Sequence, residues 1–318
     1  MSGGQSIGVN LGLNGDNLPS PAEIVELYEK YNIGSIRIFE PRHEILEALR
    51  GKPVVVAVGT LDEDVQGIAQ DQNVANQWVQ TNVVPYIDNV NIGYITLGNE
   101  VTPGPISQYV PNAIQNMINA LKDAGIQKDI KVSAILKDSV FAASYPPSAG
   151  AFTADTANVI KEIAAILLQH DSPIMINTYP YFAYISDPKD ISLDYALFES
   201  KSPVVTDGSY QYYNIFDAVL DAYHAAFEKI GVSNITLTVT ETGWPSAGNE
   251  PYTTIENAAT YNKNLIDHVK AGKGTPRRPG LGLNVFIFAM FNENLKSPGV
   301  EQNFGAFYPN KQPVYPLF

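Results

Sequence analysis

The chain has 318 residues, 45% of them apolar and only 17% charged, enough to bury one large core. Twenty Lys and Arg against 33 Asp and Glu leave a formal charge of −13, which argues against nucleic acid or an anionic membrane as partner, since both require clustered cations. With no cysteine, disulfides, zinc thiolates and thiol nucleophiles are excluded, and no apolar run approaches the ~20 residues of a membrane span.

The opening Met1-Ser2-Gly3-Gly4-Gln5 has neither the basic residue nor the apolar segment of a signal peptide, and reads as a cloning remnant or disordered tail on a mature chain. A first strand is predicted over 7–11. It is followed by the turn Asn14-Gly15-Asp16-Asn17 and a helix over 22–31, entered through Ser20-Pro21, where serine caps and proline fits the first turn. A strand over 35–39 and a helix over 43–50 come next. The wholly apolar strand over 53–58 suits a parallel sheet covered on both faces. Helices over 61–69 and 74–86, a fourth strand over 92–97, a helix over 110–124 stopped by Gly125 and a fifth strand over 131–136 continue the alternation. A segment rich in Pro, Ser, Ala and Gly, 144–153, precedes a helix over 157–170 and a sixth strand over 173–178.

Residues 179–209 are too many for an ordinary connection and are predicted to form a functional loop or small subdomain. A helix over 213–230, a seventh strand over 235–240, a helix over 255–270 and an eighth strand over 284–290 complete the series. Alternating βα units predict a parallel sheet, and eight of them a closed (β/α)8 barrel, one catalytic domain over 1–318 with its functional loops at the strand C-termini. A doubly wound open sheet would carry a glycine-rich phosphate turn after its first strand. Gly12-Leu13-Asn14-Gly15 lacks that spacing.

In such a barrel the residues just after each strand share one rim. Glu241 stands at the end of the seventh strand, ahead of Gly243-Trp244-Pro245, a sharp turn with one large aromatic face. Gly98-Asn99-Glu100 follows the fourth strand, and Phe291-Asn292-Glu293-Asn294 with Lys296 follows the eighth. Two carboxylates converging from strands four and seven suggest glycoside hydrolysis, one protonating the leaving oxygen and the other attacking or activating water. Asn99 is suited to hold the sugar 2-hydroxyl, and Lys296 to keep one carboxylate ionised and grip hydroxyls. The four histidines, His43, His170, His224 and His268, fall in or at the ends of predicted helices and read as surface residues, which leaves no acyl-transfer triad. No His/Asp cluster has metal-ligand spacing, so neither metal nor cofactor is expected. Gly272-Lys273-Gly274-Thr275 lacks the first glycine and the preceding strand of a phosphate loop.

The chain resembles the plant endo-β-1,3-glucanases of glycoside hydrolase family 17 over nearly its whole length. The motifs that carry the likeness are Thr240-Glu241-Thr242-Gly243-Trp244-Pro245-Ser246, Gly98-Asn99-Glu100, Tyr145-Pro146-Pro147-Ser148-Ala149-Gly150, Asn177-Thr178-Tyr179-Pro180-Tyr181-Phe182, Met290-Phe291-Asn292-Glu293-Asn294 and Asn303-Phe304-Gly305-Ala306-Phe307. The resemblance implies Glu241 as nucleophile and Glu100 as acid/base in a retaining double displacement, their carboxyls ~5–5.5 Å apart. It maps Glu293, Lys296 and Glu301 onto a supporting charged cluster, and Tyr179 and Phe304 onto a substrate groove. Asn99 and Trp244 complete the expected binding set.

The implied substrate is linear β-1,3-glucan, such as callose or fungal wall glucan, and the implied setting is plant defence or wall remodelling outside the cell. The acidic chain ending at Phe318 is more like the apoplastic members than the vacuolar ones, and a monomer is expected. The sequon Asn234-Ile235-Thr236 is weak support for secretion. Leu11, and Phe39 followed by Glu40, depart from the family pattern, and each of Leu11 and Phe39 replaces a phenol near the barrel mouth. These departures motivate one alternative, a β-glucan-binding protein with weak or lost hydrolysis; a mixed-linkage β-1,3-1,4-glucanase is the other, since loop shapes set linkage preference.

Overall fold

A computed structural model describes residues 6–318, so the expectation for 1–5 lies outside the described residues. The barrel strands are Ser6–Leu11, Ser35–Ile38, Val55–Gly59, Asn91–Thr96, the two segments Lys131–Ser133 and Ile135–Lys137, then Ile174–Asn177, Leu237–Thr242 and Asn284–Ile287. Every neighbouring pair is parallel. The sheet runs from Lys131–Ser133 at one end to Ile135–Lys137 at the other. Because these two segments are consecutive in the chain, the sheet closes on itself as the expected (β/α)8 barrel.

The closure explains why the fifth strand is not the single run the sequence suggests. Its first segment pairs with the fourth strand, Thr96 facing Ser133, and its second with the sixth, Ile135 facing Met175. Ala134 between them still accepts a hydrogen bond from Met175 N at 3.2 Å. Strands of a barrel must stagger to close, and the break absorbs part of that stagger.

Apolar strand residues such as Val9, Ile36, Val56, Ile95, Ile174, Val239 and Val285 are buried. The helices cover the outside through their apolar faces. In α1 (Pro21–Lys30), Ser20 and Glu23 form a capping box that satisfies the first-turn amides, while Ile24, Val25, Leu27 and Tyr28 turn inward. The helix over Ile215–Lys229 begins at the Asn214 cap and buries nearly its whole length, His224 included. That corrects the surface reading of His224. The other three histidines keep some exposure, His43 beside Asn82 and His268 beside Asp217.

Two irregular segments sit over the rim. Between the fifth strand and the helix Ala154–Gln169, the short antiparallel pair Phe141–Ala143 and Ala151–Phe152 forms a flap. The long connection after the sixth strand contains the helices Pro180–Ser186 and Leu193–Ala196 and a hairpin, Val205–Asp207 with Tyr210–Tyr212. Ser148 ties the two together, its backbone N–H and hydroxyl each donating to one oxygen of Asp207 at 2.7 Å.

Candidate active site

The seventh strand slips in register against both neighbours between Val239 and Thr242. A bulge of this kind leaves carbonyls unpaired and re-aims a side chain. Asn10, inside the first strand, repairs the ladder by donating to Thr240 O at 3.0 Å and Ile287 O at 3.2 Å. The re-aimed side chain is Glu241. Its Oε1 receives Arg37 Nη1 at 2.7 Å and its Oε2 receives the Tyr179 hydroxyl at 2.6 Å. Arg37 is 1% exposed and the Glu241 side chain 8%. The guanidinium also donates to Asn10 Oδ1 at 3.0 Å and Asn99 Oδ1 at 2.9 Å, and the Phe39 ring lies 4.2 Å from its centre.

Glu100 arrives from the loop after the fourth strand. Gly98 (φ 68°) and Glu100 (φ 57°) both lie in the left-handed region. For a non-glycine residue that conformation is unfavourable by roughly 1–2 kcal/mol and persists only where neighbours hold it. Here Thr60 Oγ1 accepts from Gly98 N at 2.9 Å and Asp62 Oδ1 from Asn99 N at 2.7 Å. Asn177 Nδ2 then reaches both Asn99 Oδ1 at 3.2 Å and Glu100 Oε1 at 2.9 Å, while Thr240 Oγ1 donates to Asn177 Oδ1 at 2.8 Å.

The two carboxyls therefore have different surroundings. Glu241 has an arginine and a phenol. Glu100 has one amide and, at 3.9 Å, Lys137 Nζ. Burial raises the Glu100 pKa above the ordinary carboxylate value, the Asn177 hydrogen bond works against that rise, and the negative charge of Glu241 adds to it. The Tyr179 phenol is pushed well above its usual range by burial and by Glu241, so it stays a donor. Both glutamates open onto a groove of about 740 Å³ whose apolar walls include Phe39, Phe182, Phe288 and Phe304. Beyond Phe39, Phe288 and Lys296 it adjoins a second chamber of about 210 Å³ lined by Leu11, Asn14, Glu40, Arg42 and Glu293. Among the described residues no group of acidic or histidine side chains is arranged to hold a metal ion.

The family profile described as glycosyl hydrolases family 17 matches residues 7–317. The chain belongs to that family. Among curated proteins it is similar to one named probable glucan endo-1,3-beta-glucosidase BG4 from Arabidopsis thaliana, 47% identical over the whole of this chain and 92% of that protein. A glucan endo-1,3-beta-glucosidase of Vitis vinifera is 46% identical, over 99% of this chain and 92% of the other. Among solved structures, CJP38, a beta-1,3-glucanase and allergen of Cryptomeria japonica pollen, superposes with a TM-score of 0.94 at 45% identity, covering 98% of both chains. A structure from a study of two plant beta-glucan endohydrolases with distinct substrate specificities gives 0.93 at 39% identity, covering 98% of this chain and 99% of its own.

Of the family 17 residues expected from sequence, Asn99, Glu100, Tyr179, Glu241, Lys296, Glu301 and Phe304 all line the main groove. Glu293 lies beneath the second chamber, 2% exposed, accepting from Asn14 N at 3.0 Å and paired with Lys296 at 3.7 Å. Trp244 is a correction. It is fully buried behind the rim, packed on Tyr181, Tyr184 and Tyr261, with Nε1 donating to Tyr252 O at 3.0 Å. Its place in the turn is structural, because the turn directs the indole away from the groove and into the shell between barrel and helices. The departures Leu11 and Phe39 differ in kind: Leu11 is buried in the wall of the second chamber, whereas Phe39 lines both chambers and covers Arg37.

Sequence reasoning did not single out Arg37, Asn10, Asn177 as a hydrogen-bonding residue in its own right, or Asp138. The available signal was a polar side chain inside an apolar parallel strand, as in Ser35-Ile36-Arg37-Ile38, Val9-Asn10-Leu11 and Ile174-Met175-Ile176-Asn177. Such a residue has no reason to be there unless it faces a site or a partner.

Proposed function

We propose that the protein is an endo-acting, retaining glycoside hydrolase that cleaves internal β-1,3-glucosidic bonds of β-glucan, with Glu241 as nucleophile and Glu100 as acid/base. The observation that carries the reading is the unequal treatment of two carboxyls in one groove. One is gripped by Arg37 and Tyr179, and the other is biased towards its protonated form. The names of the relatives and the family membership support the substrate class. The adjoining chambers suit a polymer that occupies several sites at once.

In the first step a Glu241 oxygen bonds to the anomeric carbon as the glycosidic C–O bond breaks, and Glu100 gives its proton to the departing oxygen. In the second, water attacks the same carbon, hands a proton to Glu100 and expels Glu241 as a carboxylate. Arg37 and Tyr179 orient the attacking carboxylate. Asn99, fixed between Arg37 and Asn177, is placed to contact the sugar 2-hydroxyl. The aromatic walls take the apolar faces of neighbouring glucosyl units. Plant extracellular space is the proposed location, since callose and fungal wall glucan are met there.

Hydrolysis of a soluble β-1,3-glucan tests the reading. The protein releases oligosaccharides, while Glu100→Gln and Glu241→Gln each lower the rate by about 10²–10⁴ or more. Full activity in either variant overturns the residue roles, and binding of β-1,3-glucan without product release overturns hydrolysis. A side-by-side assay on mixed-linkage β-1,3-1,4-glucan reads the linkage preference, for which faster turnover of the β-1,3-polymer is expected.

A further inference from the structure

Besides Glu100, Glu241 and Glu301, the groove is lined by a further carboxyl with no part in the two displacements. Asp138 follows the fifth strand directly, and its side chain lines the same cavity as Glu100 and Glu241. No cation pairs with it among the described residues. The neighbouring Lys137 lies instead beside Glu100. Asp138 is held by two hydroxyls, Thr178 Oγ1 donating to Oδ2 at 2.8 Å and the Tyr223 hydroxyl to Oδ1 at 3.1 Å.

Thr178 is the informative partner. It stands between Asn177, which donates to Glu100, and Tyr179, which donates to Glu241. Its own N–H donates to Glu241 O at 3.0 Å. A hydroxyl hydrogen bond from Thr178 to Asp138 thus fixes the middle of the one tripeptide that touches both reacting carboxyls. The sixth strand ends at Asn177, and beyond it the backbone of 178–179 is held by Thr178 N donating to Glu241 O and, from the following helix, by Phe182 N donating to Tyr179 O at 3.0 Å. Without the side-chain anchor, a small rotation at Thr178 would swing the Tyr179 phenol and the Asn177 amide together. Misplacements of that size at a reacting centre are costly in rate.

We propose that Asp138 is a positioning residue, which through Thr178 sets the hydrogen bonds of Asn177 to Glu100 and of Tyr179 to Glu241. The proposal rests on the roles assigned to the two glutamates above. A charge contribution accompanies the mechanical one. The groups that face Glu100 are Glu241 from the seventh strand, Arg37 from the second, Lys137 from the fifth and Asp138 just after it, Tyr179 after the sixth and Tyr223 from the helix Ile215–Lys229. The ones around Asp138 are Thr178, Tyr223 and Glu100. Burial lifts the Asp138 pKa to about 6, with its two hydroxyl partners opposing the rise and Glu100 adding to it. The negative charge of Glu100 is thus among the forces that keep the Asp138 carboxyl protonated.

The test is steady-state hydrolysis of a soluble β-1,3-glucan across pH by the full protein and by Asp138→Asn, Thr178→Val, Thr178→Ser and the double variant Asp138→Asn/Thr178→Val. Asp138→Asn and Thr178→Val are each expected to lower kcat about tenfold, the rate equivalent of one misplaced hydrogen bond to a charged group, with KM within about twofold. The double variant is expected to lose no more than either single one, because both cut the same link. Thr178→Ser, which keeps the hydroxyl, is expected to recover most of the rate.

Additive losses, a loss confined to KM, or no recovery in Thr178→Ser each overturn the assignment, the second by making Asp138 a sugar ligand. If Asp138→Asn does not fold, as read by its thermal midpoint, the contrast between Thr178→Val and Thr178→Ser decides alone, and equal rates for the two overturn the proposal. Failure of the unmodified protein to cleave the glucan removes the underlying mechanism. Normal turnover with no coupling removes only the role of Asp138.

Discussion

Replacing Arg37 by methionine keeps an unbranched apolar stem and deletes the guanidinium with its charge. The pair it forms with Glu241 is almost dry, 1% and 8% exposed, and the N–O distance is 2.7 Å. Removing one partner of such a buried pair leaves the other as an uncompensated charge, at a cost of about 3–5 kcal/mol. The same change strips acceptors Asn10 and Asn99 of their guanidinium donors. Asn10 also braces the bulge beneath Glu241, so both ground-state stability and nucleophile position should suffer.

Urea unfolding at neutral pH is the assay for stability, with laminarin hydrolysis measured in parallel. Arg37→Met should lose about 3–5 kcal/mol and most of its activity. Arg37→Met/Glu241→Gln should regain a large part of the stability, because the stranded charge is gone, while remaining inactive. The reasoning is refuted if Arg37→Met unfolds within about 1 kcal/mol of the unmodified protein, the range of an exposed ion pair. It is also refuted if the second substitution restores nothing.

Glu241→Gln removes the negative neighbour that helps raise the Glu100 pKa, so a carbon-13 NMR titration should find Glu100 titrating at lower pH in that variant; an unchanged or raised value contradicts the coupling. His224 is buried and its pKa is lowered to about 3, first by desolvation and then by Arg278. The folded form therefore holds the neutral ring, and the stability this represents is present above the unfolded pKa of about 6.5 and lost as pH falls from there towards 3, by up to a few kcal/mol. Urea midpoints from pH 7 to 4 should fall less steeply in His224→Gln than in the unmodified protein, and parallel slopes would discount the residue. Trp244→Ala should cost about 3–5 kcal/mol through the cavity it leaves, with the remaining folded protein showing an ordinary KM; a raised KM at unchanged stability would return Trp244 to the groove.

Much of the barrel is legible in the chain because the signals agree. Apolar β-branched runs, capped helices and short turns alternate without a break, and a carboxylate follows strands four and seven. The misreadings have physical causes. Residues 131–136 look like one strand because periodicity cannot express the stagger that splits it at Ala134. Trp244 looks like a sugar platform because a turn sequence does not say which way its aromatic face is sent. His224 reads as a surface residue because its helix is assigned outside the rim, and that helix, Ile215–Lys229, is in fact covered on nearly every side.

The catalytic glutamates are visible as strand-end charges, whereas their partners are spread among other strands. Arg37, Asn10 and Asn177 lie 204, 231 and 64 positions from Glu241 by subtraction of their numbers, and only closure of the sheet assembles them. A lone arginine in Ser35-Ile36-Arg37-Ile38 is nonetheless a usable mark, since a buried cation in a strand requires an anion somewhere on the same ring.

The most direct measurement is the configuration of the first product. Proton NMR of reducing ends freshly released from a soluble β-1,3-glucan should show the β-anomer first, with the α-anomer growing in later by mutarotation, as two displacements at Glu241 and water require. Appearance of the α-anomer first would mean a single displacement by water and would contradict the account.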